Sequence, residues 1–281
     1  MNADIRIDAL LPPEMAKRAE YLGVRKAEAK ISAMFSLAVL AGIFIALGAM
    51  FATTVSAGTS GVLPFGVTRL LVGLVFCLGL ILVVVGGAEL FTGNNLIVMA
   101  WAGGKVSTSA MLRNWVVVYL GNFVGSIITA ILVIFSKQYA FGGGAVGQSM
   151  LNIAIGKVNF GFFQALALGV LCNMLVCLAV WMTFSARSTI DKIMAVIFPI
   201  SAFVAGGFEH SVANMYFIPL GLFLKAFDPA FTASTQINVS DLTWSAFLLN
   251  NLLPVTIGNI IGGGVLVAAV YWAVFLRHSE V

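Results

Sequence analysis

Six predominantly apolar stretches follow one another along the chain, at about 31–53, 67–103, 113–136, 162–185, 190–225 and 245–276. About 20 helical residues cross a bilayer core of about 30 Å. The second and fifth stretches are too long for one crossing, because a continuous helix of about 36 residues would measure about 54 Å. We therefore predict six spans, with the second and fifth each broken into a half-span, an unwound turn and a shorter helix. Two complete helices in each long stretch, giving eight spans, is the alternative.

Each long stretch contains one copy of the same short pattern, GGAELFTGN at 86–94 and GGFEHSVAN at 206–214, at an offset of 120. A second match, at an offset of 137, pairs residues of the third and sixth stretches: Asn114, Gly121, Asn122 and Gly125 with Asn251, Gly258, Asn259 and Gly262. Both sets contain Gly-x-x-x-Gly, which allows close helix approach in membranes. Because each half has an odd number of spans, the second half is inserted upside down relative to the first. The pattern therefore predicts a 3+3 inverted repeat with a transport site near the bilayer midplane.

Composition and charge support an all-α integral membrane protein. Apolar residues make up 60% of the chain and charged residues 9%, against about 25% charged in soluble domains. The basic residues favour six spans with both termini in the cytoplasm, because eleven of the fifteen then flank the cytoplasmic ends. Those eleven are Arg6, Lys17, Arg18, Arg25, Lys26, Lys30, Lys105, Arg113, Arg187, Lys192 and Arg277, whereas Arg69, Lys137, Lys157 and Lys225 fall outside. Their spread over short loops predicts no nucleic-acid partner.

The reactive side chains suggest no enzyme and no bound cofactor. Cys77, Cys172 and Cys177 lie in apolar stretches and are typical of small packing residues. The sequence has no His/Cys/carboxylate cluster for a metal, and no Ser or Cys nucleophile with a positioned base. We therefore predict no metal and no catalytic residues, with a membrane-embedded enzyme as the weaker alternative. A neutral-solute channel like the aquaporins is a third class, but their paired Asn-Pro-Ala boxes are absent.

After each break the sequence has residues suited to begin a helix: Thr92, Gly93 and Asn94 in the first copy, Ser211 and Asn214 in the second. Ser, Thr and Asn side chains accept the free amide hydrogens of a first turn. Inverted symmetry turns the two new N-termini toward the middle from opposite sides. Their partial positive charge and unpaired N–H groups favour a small anion there.

Ionisable residues at membrane depth are few, namely Glu89, Glu209 and His210, with Lys157 near the outer flank of the fourth span. His210 takes the repeat position of Leu90, so the symmetry is broken beside a helix break. Because histidine titrates near neutral pH, we predict a functional His210 that exchanges protons. The sequence leaves two roles open for the glutamates: a structural one, in which they bind loop amides, and a functional one. The sequence also leaves two roles open for Asn173: an interhelical hydrogen bond and a contact in the pore.

Three segments, GGAELFTGNN, FEHSVANM and PVTIGNIIGG, resemble the formate/nitrite transporter family. The similarity covers essentially the whole chain, including LLPPEMAKRAEYLGV near the N-terminus, and within the family it favours the formate channels. The resemblance implies an aquaporin-like protomer and a homopentamer with five separate pores in the bacterial inner membrane. It implies bidirectional, pH-dependent passage of small weak-acid anions, chiefly formate. Nitrite or hydrosulfide is the runner-up, and acetate and other short-chain carboxylates are further candidates. Passive and proton-coupled transport both stay open.

The resemblance also assigns roles to residues. It implies a central pore site of His210, Thr92, Asn173 and the acidic Glu209, with Lys157 as the vestibule lysine that attracts anions. It implies two apolar constrictions: Phe76, Leu80 and Phe203 on the outer side, and Leu90, Phe91 and Val176 on the inner side. Glu89 stands where the family's formate channels carry Asp, so the carboxylate is kept.

The segment at 9–23 interleaves apolar residues with Glu14, Lys17, Arg18 and Glu20 and predicts a short amphipathic helix at the cytoplasmic face. Its role stays open between gating the pore and resting on lipid headgroups, and a cytoplasmic partner could bind there. We predict a cytoplasmic N-terminal segment at 1–28, a channel domain at 29–276 with repeats at 29–137 and 160–276, and a cytoplasmic tail at 277–281.

Overall fold

The computed structural model describes residues 9–277, and the regular secondary structure of this part of the chain is helical, with no β-strand. Residues 1–8 of the predicted N-terminal segment, which include Arg6, and residues 278–281 of the predicted tail lie outside the described residues. Within the described part, an N-terminal helix, Pro12–Ala27, precedes the spans. Shorter helices at Gln138–Ala140, Ala145–Val158 and Pro229–Ser234 lie in the connections.

The described residues form six spans, and the second and fifth are interrupted, as the sequence predicts. The uninterrupted spans are the first, Ile31–Ser56, the third, Thr108–Phe135, the fourth, Phe162–Thr183, and the sixth, Ala246–Phe275. The sixth includes two π-helical stretches, Ala246–Leu252 and Ile261–Ala269. The second span consists of Phe65–Gly86 and a helix at 91–102, and the fifth of Thr189–Ala205 and Ser211–Phe227. The eight-span alternative is therefore wrong.

The pieces of the broken spans differ in length from the prediction of a half-span followed by a shorter helix. Phe65–Gly86 has 22 residues, which is about 33 Å of helix and enough to cross a bilayer core. Ser211–Phe227 has 17 residues, as many as Thr189–Ala205 before it. The position of the glycine pair along each apolar stretch decides these lengths, and only the helix at 91–102 is short. That helix also contains a 3-10 turn at Asn95–Ile97.

Glycines of the third and sixth spans make close helix contacts within the chain, as the sequence predicts. A Cβ atom at Gly125 would overlap the backbone oxygen of Val39 in the first span, and one at Gly258 would overlap that of Leu166 in the fourth. The third span therefore packs on the first, and the sixth on the fourth. Each half is a three-span unit of the same construction, which confirms the repeat.

The described basic residues separate toward two opposite faces. At one face the N-terminal helix meets the loop after the second span, where Lys105 pairs with Glu20 and Arg113 donates to the carbonyl of Ala27. The N-terminal helix also packs on the helix at 91–102, where the Cβ position of Gly23 is 3.0 Å from that of Ala100. Its buried side therefore rests on protein, although Leu11 and Tyr21 are exposed.

Candidate functional site

Both breaks have the same backbone geometry. Gly87 and Gly207 have left-handed φ angles of 75°, a region that residues with a Cβ rarely adopt. In each copy the amide of the residue after the second glycine donates back to the helix: Ala88 to the Val83 carbonyl, and Phe208 to that of Phe203, both at 3.0 Å. This is a Schellman-type helix end. The second glycine of each Gly-Gly pair is therefore the one that ends the helix.

An asparagine from another span holds each break. The amide of Phe91 donates to Asn122 Oδ1, and the amide of Ser211 donates to Asn259 Oδ1, both at 2.9 Å. Asn122 Nδ2 donates to the carbonyl of Glu89, as does Asn259 Nδ2 to that of Glu209. The offset of 137 found in the sequence thus pairs residues that perform one task in the two halves.

These contacts correct one prediction about the helix starts. The N-cap positions are Leu90 and His210, which are extended at φ −110° and −108°. Thr92, Gly93 and Asn94 do not cap the first helix, and Ser211 and Asn214 do not cap the second. Asn122 and Asn259, which belong to other spans, accept hydrogen bonds from the first amides instead. The close packing of the third and sixth spans brings their side chains to the break. Proximity in sequence could not reveal this.

His210 and Thr92 lie at the meeting point of the two half-helix N-termini, and both are buried. His210 Nδ1 accepts the amide hydrogen of Ala213, and Nε2 is 3.0 Å from Thr92 Oγ1. Because Nδ1 acts as an acceptor, a neutral ring carries its proton on Nε2, which then donates to Thr92. The hydroxyl hydrogen of Thr92 is then free to donate to another acceptor.

Asn173 lies directly behind Thr92. Its Nδ2 is within hydrogen-bond distance of the Thr92 carbonyl, of Asn95 Oδ1 and of the Asn259 carbonyl. The Asn173 side chain therefore connects the fourth span to the start of the helix at 91–102 and to the sixth span. Its Oδ1 has no hydrogen-bond partner among the described residues.

Each carboxylate beside a break belongs to a buried polar cluster with the same composition. Glu209 pairs with Lys157 at 2.6 Å and accepts from Asn214 and Asn251. On the opposite side, Glu89 pairs with Lys26 at 2.8 Å and accepts from Asn94, which donates to Asn114 as well. Both glutamates thus bind a lysine and asparagine side chains beside the breaks. Lys157 comes from the connecting helix Ala145–Val158.

Two cavities approach His210 and Thr92 from the two faces. The Lys157 vestibule, of ≈ 290 Å³, has a lining that includes Arg69, Thr68, Phe76, Lys157, Phe203, Glu209 and His210. The Lys26 vestibule, of ≈ 320 Å³, has a lining that includes Arg18, Lys26, Leu80, Glu89, Leu90 and Lys192. The buried pair of His210 and Thr92 therefore lies between two wider spaces.

The residues expected at the apolar constrictions fall into three groups. Phe76 and Phe203 are in edge-to-face contact, with ring centroids 5.6 Å apart, and the Phe203 ring stacks on His210. Leu80 was expected beside them, but it lines the Lys26 vestibule together with Leu90. Phe91 packs against the rings of Trp115 and Tyr119. Val176 is buried and, like Phe91, lines neither vestibule.

Five residues make contacts at the site that were not predicted from the sequence. In the sequence, Asn114, Asn122, Asn251 and Asn259 indicate only the repeat. Lys26 contributes there only to the cytoplasmic positive charge. A polar residue recurring at matched positions inside two apolar spans was the available signal, because such residues are costly in a membrane. Among the described residues, no group of three or more His, Cys, Asp and Glu side chains could hold a metal.

The chain is similar to known transport proteins over nearly its whole length. Residues 13–273 match the family described as Formate/nitrite transporter. Formate channel FocA of Escherichia coli (strain K12) is 46% identical over 284 residues, which cover 100% of this chain and 99% of that protein. Formate channel FocA of Haemophilus influenzae (strain ATCC 51907 / DSM 11121 / KW20 / Rd) is 43% identical, covering 94% of each chain. A solved structure, "Pentameric formate channel with formate bound", has 48% identity and a TM-score of 0.82, covering 88% of this chain and 98% of that one.

Proposed function

Because this chain belongs to the formate/nitrite transporter family, we propose that it carries formate and similar small weak-acid anions across a membrane in both directions. Membership in a family of transporters excludes the membrane-embedded enzyme. Each protomer of a homopentamer would contain its own pore, since both broken spans come from one chain. The similarity to a solved pentameric formate channel supports the pentamer as well as the substrate. We place both termini on the cytoplasmic side, on the charge distribution alone.

The observation that carries this proposal is the buried contact of His210 Nε2 with Thr92 Oγ1, between two vestibules that each contain lysine. Moving a bare anion through an apolar constriction is costly. Half-helix N-termini lower that cost, because they present N–H groups and partial positive charge. The free hydroxyl hydrogen of Thr92 adds a donor between the two vestibules. Asn173 acts as a positioning residue, because its amide holds the Thr92 carbonyl.

A proton supplied by His210 would make formate a neutral acid that crosses the apolar rings more easily. The ring must first become an imidazolium, which requires a proton on Nδ1. In this structure Nδ1 accepts the amide hydrogen of Ala213, so protonation must break that cap. A lost hydrogen bond of this kind costs about 0.5–1.5 kcal/mol. We therefore propose that proton transfer to formate is coupled to a loosening of the first turn of Ser211–Phe227.

The test is formate flux into liposomes containing the purified protein, measured over a pH series, with nitrite, hydrosulfide and glycerol as comparison solutes. His210→Asn keeps a cap acceptor for the Ala213 amide, because Asn is a good N-cap residue, but it loses the ring. We expect it to keep its fold and assembly and to lose most of the pH-sensitive formate flux. Unchanged pH-dependent flux in both directions would mean that His210 is structural.

A matched pair at position 92 tests the hydroxyl donor. Thr92→Val keeps the side-chain shape and removes the hydroxyl, whereas Thr92→Ser keeps the hydroxyl. We expect the valine variant to lower formate flux, but less than His210→Asn does, and the serine variant to retain most of it. Equal flux in all three proteins would remove Thr92 from the pore site. Glycerol flux exceeding formate flux in the unmodified protein would contradict the proposed function itself.

A further inference from the structure

The Lys157 vestibule has two cations and one carboxylate in its lining: Lys157, Arg69 and Glu209. Lys157 Nζ lies 2.6 Å from Glu209 Oε1, and the two side chains are 16% and 3% exposed. Opposite charges this close act on a more distant ion as a dipole, and their two Coulomb contributions largely cancel. Lys157 therefore adds little net positive potential to the cavity.

Arg69 forms its hydrogen bonds to uncharged groups instead. Its Nε donates to the Ala205 carbonyl at 3.0 Å, and Nη2 donates to the Val204 carbonyl. These carbonyls end the helix Thr189–Ala205, whose C-terminus carries about half a negative unit charge. The carbonyls hold the guanidinium over the vestibule and offset only part of its charge. The net positive charge of this cavity therefore lies on Arg69.

The Lys26 vestibule repeats this arrangement. Lys26 pairs with Glu89 at 2.8 Å, so this lysine is also compensated. Arg18 and Lys192 line the same cavity, and within residues 9–277 neither side chain forms an ion pair or a hydrogen bond. Two uncompensated cations thus lie on this side, against one on the other. Cavities lined by one sign of charge raise the local concentration of counter-ions.

On the basis of the proposed transport function, we propose that Arg69 concentrates anions in the Lys157 vestibule and that Arg18 and Lys192 do so in the Lys26 vestibule. The partly buried Lys157 and Lys26 compensate Glu209 and Glu89 instead. The anion-attracting role that the family resemblance implies for Lys157 thus passes to Arg69. The extra cation on the Lys26 side predicts that anions enter more readily from that side at low ionic strength.

The experiment measures formate current across a planar bilayer at about 10 mM and about 1 M ionic strength, where the Debye lengths are about 30 Å and about 3 Å. A unit charge about 8 Å from an ion changes the local ion concentration by about two- to fivefold at a dielectric near that of water, so we expect a change of that size in the low-salt current. At low salt we expect Arg69→Gln to carry a current lower by this factor when anions enter from the Lys157 side. At high salt its current should match that of the unmodified protein. Arg69→Lys should retain the current.

Arg69 also ends a helix, so a second variant separates charge from capping. Thr68 lines the same vestibule, and Thr68→Lys combined with Arg69→Gln restores a cation without restoring the guanidinium contacts. We expect this double variant to recover the low-salt current. A loss that is equal at both ionic strengths, or that Thr68→Lys does not reverse, would make Arg69 a structural cap and overturn the proposal.

Lys192→Gln tests the opposite side, with Arg25→Gln as its matched control. Arg25 lies on the N-terminal helix at the same face, is exposed and does not line the cavity. We expect Lys192→Gln to lower low-salt current for anions entering from the Lys26 side, and Arg25→Gln to leave it unchanged. Equal effects of the two would contradict a local role. An unmodified protein that shows no formate flux in the liposome assay would refute the proposed function, whereas salt-independent variants of a protein that transports formate would refute only this inference.

Discussion

At the scale of single residues, the side chains of Asn122 and Asn259 stabilise the two breaks. Each side chain pairs one amide hydrogen and one carbonyl of its break, and it also donates to a carbonyl of a neighbouring unbroken span. An unpaired backbone group costs several kcal/mol in a bilayer core, so an unwound segment at that depth needs such partners. The site at His210 and Thr92 depends on these two asparagines for its position.

We expect Asn259→Leu to destabilise the protein strongly. The substitution leaves the Ser211 amide and the carbonyls of Gly169 and Glu209 without their partner, at about 1–3 kcal/mol for each buried group. The measurement is the temperature at which the detergent-solubilised oligomer is lost from a size-exclusion profile. Asn250→Leu is the control, because Asn250 is exposed on the same span. Equal midpoints for the two variants would show that the Asn259 contacts are dispensable.

At the scale of elements, the two broken spans and the N-terminal helix decide the shape of the site. Phe65–Gly86 is long enough to reach the Lys26 vestibule, which Gly87 lines. The chain at Ala88–Leu90 then leads to the helix at 91–102, whose first turn contacts His210 through Thr92. The left-handed turn at Gly87 makes this change of direction possible.

A matched pair of glycine substitutions tests that turn. An added Cβ at Gly87 would meet nothing within 4 Å, but the left-handed φ of 75° is unfavourable for alanine by about 1–2 kcal/mol. An added Cβ at Gly86 makes an ordinary contact, 3.4 Å from the Phe44 ring. We therefore expect Gly87→Ala to lower the unfolding midpoint in denaturant and Gly86→Ala to leave it nearly unchanged. Similar midpoints would mean that the turn relaxes without cost.

The position of the N-terminal helix can be tested without removing it. Deleting residues 1–28 also removes Lys26, the partner of Glu89, so a flux change would not report on the helix alone. Glu20→Lys instead opposes Lys105, which lies 2.6 Å from Glu20. If the helix gates the pore, this variant should change the pH response of formate flux, and adding Lys105→Glu should restore it. A pair of this kind is worth about 0–1 kcal/mol, so we expect at most about a fivefold effect. An unchanged pH response in Glu20→Lys would argue against gating.

At the scale of the whole molecule, the inverted repeat gives the two faces matching construction but different net charge. Span two starts on the face of the Lys157 vestibule, which Thr68 and Arg69 line, and span five starts on the face of the Lys26 vestibule, which Lys192 lines. The matching glycine contacts and polar clusters follow from this symmetry. Unequal charge breaks it, and so does His210, which stands at the repeat position of Leu90.

The orientation of the whole molecule can be tested by cysteine labelling in intact cells. The native cysteines 77, 172 and 177 are all buried, so they need not be removed. Ser109 and Ser240 are exposed on opposite faces of the described structure. We expect a membrane-impermeant thiol reagent added outside to label Ser240→Cys and to spare Ser109→Cys until the cells are opened. Labelling of both, or of Ser109→Cys alone, would contradict a cytoplasmic N-terminus.

Sequence alone determined the number of spans, the two breaks and the inverted repeat. Bilayer thickness fixes the length of an apolar helix, and only glycine readily supplies the left-handed turn that ends one inside an apolar stretch. It also pointed to His210, because an ionisable residue that departs from a repeat in the membrane is costly to keep. These inferences need only local pattern and general physical constraints.

Tertiary structure decided which groups meet. Asn122 and Asn259 are far in sequence from the amides they bind, and Lys26 comes from a helix outside the spans to pair with Glu89. Sequence-local reasoning assigned the helix starts to residues that include Thr92 and Ser211, and the family resemblance implied that Lys157 attracts anions. Packing of the third and sixth spans supplies the caps, and the ion pair with Glu209 removes the net charge of Lys157. Hydrogen bonds and charge compensation depend on distances of a few ångströms between residues remote in sequence, and only the folded chain sets those distances.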